Sequence, residues 1–142
     1  MTLFLLDTDI CSYAMKRRSM TLQEKLLTFD PGVLKVSAIT VFELRYGACR
    51  LAGTAKSRTL VTICAFLQNV EILNFDQQAA EHAGDIRAKL AEQGQPIGSF
   101  DLLIAAHARS INGAIVTNNT REFSRVDGLL VENWFDPTTG SA

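Results

Sequence analysis

The hydrophobic positions of this chain change period repeatedly, from short continuous runs to helical spacing and back. Leu3 to Leu6 is an apolar run stopped by Asp7-Thr8-Asp9, the signature of a buried first strand followed by a helix cap at Asp7. Helical spacing runs from Ile10 to Met15, breaks at Lys16-Arg17-Arg18, and resumes over Met20 to Thr28 before the Asp30-Pro31-Gly32 turn. Val33 to Ser37 reads as a second strand. Ile39 to Cys49 and Lys56 to Gln68 read as helices, Glu43 falling in the early turns of the first and Gly47 inside it at some cost in propensity. Val70 to Leu73 is a third strand, and Asp76 caps an amphipathic helix with Ala79, Ala80, Ala83, Ile86 and Leu90 on its apolar face. Gly94-Gln95-Pro96 ends it. The next helix is expected to start at a Ser99 cap, with Asp101 in its first turn. Its body, Leu102 to Ala106, is apolar on nearly every face, so this helix should be the most deeply buried. Ala114 to Thr117 forms strand four, Asn118-Asn119 a turn, Thr120 to Phe123 a short helix, and Leu129 to Glu132 the last strand.

Strands alternating with helices predict an α/β fold, a central parallel sheet of four to five strands between two helical layers, doubly wound. With 142 residues and 47% hydrophobic content, a single domain over 1–135 is expected, followed by a flexible tail at 136–142. No apolar run approaches the ~20 residues of a membrane span, and Met1 to Asp7 lacks a basic leader segment. A cytoplasmic protein is expected. Cys11, Cys49 and Cys64 are odd in number and far apart, and are read as reduced and buried rather than as a disulfide or zinc framework. A net charge of −1 supplies no global pull on a polyanion, so any nucleic acid must be held by local basic groups or bound metal. Lys16, Arg17, Arg18, Arg45 and Arg50 are candidates for phosphate contacts, although such clusters are commonly just solvated faces.

Chemistry enters with four acids. Asp7, Glu43, Asp101 and Glu122 each fall where a strand has just ended or the next helix has just begun, and in a parallel sheet those positions share one edge. Each has a plain alternative. Asp7 caps a helix, Glu43 is a solvated surface acid, Asp101 complements a helix N-terminus, and Glu122 pairs with Arg121 or Arg125. Their joint placement favours a site. Carboxylates gathered without a positive partner raise one another's pKa, and hard ions such as Mg2+ or Mn2+ accept this oxygen-rich, histidine-poor set. His82 and His107 are read as ordinary helix residues.

Four segments carry a family resemblance in order and spacing: Leu5 to Ile10 (LLDTDI), Ser37 to Leu44 (SAITVFEL), Pro96 to Ala108 (PIGSFDLLIAAHA) and Val116 to Phe123 (VTNNTREF). They resemble the motifs of PIN-domain ribonucleases, and most closely those of the VapC toxins of bacterial toxin–antitoxin pairs. The resemblance spans essentially the whole chain. It implies an α/β/α sandwich, Mg2+- or Mn2+-dependent endoribonuclease activity, dimerisation, and inhibition by a VapB-type antitoxin. Structured RNA is the implied substrate, with the anticodon stem-loop of initiator tRNA suggested by the enteric VapC group. Asp7, Glu43 and Asp101 match the three core acids of the family. At the fourth position many PIN domains carry Asp where this chain has Asn119, so either the neutral oxygen of Asn119 or the carboxylate of Glu122 fills that place. Thr8, Ser37 and Thr117 are weaker candidates for hydroxyls supporting the acids.

Two other classes share parts of this pattern. Asp7-Thr8-Asp9 after a first strand also resembles haloacid-dehalogenase-type phosphatases, but those expect Thr or Val where this chain has Cys11, together with a downstream lysine and a late acidic pair. A catalytically idle binding module with a PIN fold is the other. Retention of all three core acids argues against it.

Overall fold

In the computed structural model, which describes residues 2–137, five short strands form one sheet with every neighbouring pair parallel. They are β1 (Phe4–Leu6), β2 (Leu34–Ser37), β3 (Glu71–Leu73), β4 (Ala114–Val116) and β5 (Leu130–Glu132), in the order β3-β2-β1-β4-β5. The connections carry α1 (Thr8–Met15), α2 (Met20–Thr28), α3 (Ala38–Cys49), α4 (Gly53–Leu67), α5 (Gln77–Glu92), α6 (Ser99–Ser110) and α7 (Thr120–Phe123).

Period-two alternation splits the core in two. Phe4 and Leu6 of β1, with Ala114 and Val116 of β4, face a core built with Ile10, Leu22, Leu44 and Ile63 of α1 to α4. Leu5 and Ile115 face the opposite core, built with Ile86 and Leu90 of α5, Ile104 and Ala105 of α6, and Phe123 of α7. The three layers are therefore helix, sheet, helix. Leu5 and Leu6 are fully buried on opposite faces, so truncating either to alanine would cost ~2–5 kcal/mol. Strand β4 begins where a Cβ on Gly113 would stand 2.9 Å from the Leu3 carbonyl oxygen, which excludes any larger residue from that approach.

Helix α6 buries Leu102, Ile104, Ala105, Ala106, His107 and Ala108, more than any other helix among the described residues. Two expectations are corrected. The cap of α6 is Gly98, with no side-chain cap bond, and Ser99 is already the first helical residue. Only Cys11 is buried; Cys49 and Cys64 are exposed, because they lie on the outward stripes of α3 and α4, and all three are free thiols. Trp134 closes the first core, stacked on Phe29 at 5.1 Å and edge-on to Phe4 at 5.0 Å. Phe135 stacks on Tyr13 at 4.3 Å, and the Asp136 N–H donates to Ser19 Oγ at 3.0 Å. The remainder of the expected tail, 138–142, lies outside the described residues. No helix among the described residues is long and apolar enough to cross a membrane.

Candidate active site

Strand β1 has β2 on one side and β4 on the other, so the winding of the sheet reverses between β1 and β4. The crevice beyond the carboxyl ends of two such strands is where open α/β sheets bind ligands. Asp7 leaves β1 there and Thr117 leaves β4, the Asp7 N–H donating to the Val116 carbonyl at 3.0 Å. Asp7 is only 2% exposed. Its Oδ1 accepts the Ile10 N–H at 2.8 Å and so caps α1, and the Thr117 side chain adds a bond to the same carboxyl. Capping and membership of an acidic cluster are thus compatible in this residue. Burial outweighs both bonds: it pushes the Asp7 carboxyl up to about 7, with repulsion from Asp9 and Asp101 adding to it.

Asp101, in the first turn of α6, is raised to about 6 by burial, then by the charges of Asp9, Glu43 and Glu122, while a bond from Asn119 pulls the other way. The four acids singled out in the sequence therefore act on one another through space. Asp9 belongs with them. In the sequence Asp9 stands in the strand stop, in the first motif and in the phosphatase-like Asp7-Thr8-Asp9, but not among the four candidate acids; two acids flanking Thr8 at the start of a helix are the signal for it.

Hydroxyls and an amide hold the other two acids. The Thr8 hydroxyl donates to Glu43 Oε1 at 2.6 Å and lies 3.2 Å from Thr40 Oγ1, tying α1 to α3. Asn119 donates from Nδ2 to Glu122 Oε2 at 2.6 Å, and its backbone N–H donates to Thr117 Oγ1 at 2.8 Å. Its side chain is therefore spent as a donor toward Asp101 and Glu122. Neither Arg121 nor Arg125 forms an ion pair with Glu122 among the described residues; Arg125 donates instead to the Pro96 carbonyl at 2.9 Å.

Ser37 lies elsewhere in this economy of bonds. Its Oγ accepts the Ile39 N–H at 3.1 Å, capping α3, and meets His107 Nδ1 at 2.9 Å, which fastens α6 to the end of β2. His107 packs edge-on against Phe75, and burial lowers its pKa against the pull of Asp76, so the ring is neutral at pH 7.

A cleft of about 540 Å³ opens beside Thr8, Asp9 and Glu43, between α1, α3 and α4. Lys16 and Arg50 line it, and so does Arg58, which is not among the sequence candidates because it lies in a mixed polar stretch of α4 that forms no basic run. Arg17, with a left-handed backbone (φ 52°), lines a separate hollow beside Gln23 and Leu26, while Arg18 and Arg45 are exposed outside the cleft.

Residues 4–129 match the family model of the PIN domain. A curated relative from Shigella flexneri, named tRNA(fMet)-specific endonuclease VapC, is 44% identical over 131 residues, covering 92% of this chain and 97% of that protein. The chain belongs to the VapC branch of the PIN-domain family. Its fold superposes on the DNA-bound VapBC structure from Salmonella typhimurium with a TM-score of 0.87 and 40% identity, covering 94% of this chain and 99% of that one. VapBC2 from Rickettsia felis, bound to a promoter DNA fragment, gives 0.86 at 32% identity, with 94% and 99% covered.

The donor chemistry of this PIN domain fits a hard divalent ion. Asp101 interacts with Glu43, Glu122 and Asp7, and two of these four carboxyls are raised chiefly by burial and further by neighbouring acids, with hydroxyl and amide support and no histidine. Among the described residues, no three acidic, histidine or cysteine side chains converge tightly enough to clasp an ion outright. What they form is a basin of like charge that a cation would neutralise.

Proposed function

We propose that this PIN domain is the toxin of a toxin–antitoxin pair, a Mg2+- or Mn2+-dependent endoribonuclease that cuts structured RNA, with tRNA as the first substrate to test. The observation that carries the reading is the crowding of Asp7 and Asp101 at the switch point, where burial and neighbouring acids hold both carboxyls well above their ordinary range. The 44% identity to a relative named as a tRNA(fMet)-specific endonuclease supports the substrate class.

Asp7, Asp101, Glu43 and Glu122 would hold the ion. When bound, it supplies Lewis acidity to a phosphate oxygen and lowers the pKa of water toward neutrality. The chain's own residues prepare the ground. Thr117 and the Ile10 N–H fix the Asp7 carboxylate, Thr8 fixes Glu43, and Asn119 keeps Glu122 beside Asp101. Because Asn119 donates to the Glu122 carboxylate, Glu122 is taken as the fourth acid of the site and Asn119 as its holder. Lys16, Arg50 and Arg58, along the cleft beside Glu43, suit the phosphates flanking the scissile one. Hydrolysis on this plan leaves 5′-phosphate and 3′-hydroxyl ends, with no 2′-hydroxyl nucleophile and no histidine.

The partner is a VapB-type antitoxin, whose basic side chain entering the acidic basin would offset the same repulsion that metal relieves. A homodimer of the toxin is part of the proposal. The test is cleavage of total tRNA by antitoxin-free protein with Mg2+, with Mn2+ and with EDTA, beside identically prepared Asp7→Asn. Discrete fragments that need both metal and Asp7 support the reading, and end mapping gives the cut. Equal cleavage by both proteins, or by neither, favours an idle binding module.

A further inference from the structure

Three large rings stand in solvent immediately beside the acids. Phe42 precedes Glu43, Phe100 precedes Asp101, and Tyr46 lies one turn after Phe42; they are 51%, 43% and 59% exposed. They form one patch: Phe42 is 5.3 Å from Phe100 and 6.5 Å from Tyr46, the last pair only 21° from parallel. Contiguous exposed apolar surface of this kind marks an interaction site rather than leftover core.

The helix carrying two of the rings interleaves them with cations. At three- and four-residue spacing Arg45 neighbours Phe42, and Arg50 neighbours Tyr46, its guanidinium 5.4 Å from that ring centroid. Rings alternating with guanidinium groups grip single-stranded nucleic acid, because every base has a face to stack and every linkage a negative charge. An acidic basin makes such a grip necessary. It repels the phosphates it is meant to cut, whereas uncharged bases can be held without contesting that repulsion.

The geometry points to Phe42, Tyr46 and Phe100 as a base-stacking platform that holds unpaired nucleotides of the RNA next to the scissile phosphate. This assignment deepens the ribonuclease reading and rests on it. Stacking tolerates any base, so the platform selects loops and frayed ends over duplex, where bases already stack on each other.

The test titrates a short single-stranded RNA containing 2-aminopurine into full-length Asp7→Asn protein, whose fluorescence probe is quenched when the base stacks on a ring. Quenching on binding is expected. Tyr46→Leu, Phe42→Leu and Phe100→Leu, made in that background, should each weaken binding about ten-fold and remove quenching, while Tyr46→Phe keeps it. Leucine retains apolar area without a π face, so a merely greasy contact survives the change. Unchanged affinity and quenching in the leucine variants overturns the platform. So does a shift in sedimentation of those variants with RNA binding intact, which makes the patch a contact between copies of the chain. Cleavage by wild type separates the two readings: stacking without metal-dependent cleavage sinks the ribonuclease and keeps the platform, and cleavage without quenching does the reverse.

Discussion

Asn119 spans two carboxylates, donating to Glu122 Oε2 over 2.6 Å and bonding Asp101 with the same side chain. A neutral donor between two acids offsets part of their repulsion and fixes their orientation. Asn119→Ala removes that link while leaving every acid in place. Single-turnover cleavage of tRNA should fall ~10–100-fold, the usual cost of losing a group that orients a ligand. A rate equal to wild type would show that Glu122 needs no holder.

Asp7 gives a pH dependence with a definite sign. Its folded-state carboxyl is raised from 3.8 to about 7, so the stability it contributes is complete below about pH 4 and is lost as pH rises through about 7. In EDTA at pH 8, Asp7→Asn should therefore unfold at higher urea than wild type, by up to roughly 4 kcal/mol, since asparagine keeps the α1 cap without the buried charge. The gap should close toward pH 4. A less stable variant at pH 8 would make Asp7 a structural acid.

The Thr8 hydroxyl holds Glu43 at 2.6 Å, and Thr8→Val deletes that bond without changing the shape of the side chain. The expected loss is about 1 kcal/mol in stability, with a larger proportional loss in cleavage, because the Glu43 carboxylate is then no longer held in one orientation. Thr8→Ser should restore both. Chemical denaturation and initial rates on the three proteins decide it.

His107, which joins α6 to β2 through Ser37, contributes stability with the opposite pH dependence to Asp7. Burial lowers the His107 pKa from 6.5, so the stability it contributes is present above that value and is lost as pH falls below it. His107→Asn should flatten the acid side of the melting-temperature profile between pH 7 and 5 while leaving tRNA cleavage at pH 8 in place. An unchanged acid limb would mean other groups carry it.

Arg58 contributes a cation to the cleft from α4. Arg58→Ala should weaken RNA binding about equally for all sequences and reduce the slope of log affinity against log salt by about one. A sequence-dependent loss would assign Arg58 to base recognition instead.

Strand and helix order was legible in the sequence because burial here follows period: Leu5 and Leu6 need opposite cores, and Leu102 to Ala106 needs cover on all sides. What stayed hidden was mostly one residue wide. Gly98 rather than Ser99 caps α6, its carbonyl accepting the first helical bond from Leu102 with no side-chain cap. Cys49 and Cys64 are exposed because helix phase, not residue type, decides which stripe faces out. The acids could be placed at strand ends, but the bonds from Thr8 to Glu43, from Thr117 to Asp7 and from Asn119 to Asp101 depend on distances across segments that no local pattern encodes. The ring patch escaped for the same reason, Phe42 and Phe100 being 58 positions apart in a chain that brings them to 5.3 Å.

Trp134 lies over Phe4 and Phe29, so the cover of the first strand comes from the far end of the packed chain, next to the Phe135 that stacks on Tyr13. A polypeptide still emerging from the ribosome has made Asp7, Glu43, Asp101 and Glu122 before it has the residue that seals the core beneath them. A growing copy of this protein thus carries its full complement of acids without a finished scaffold to align them.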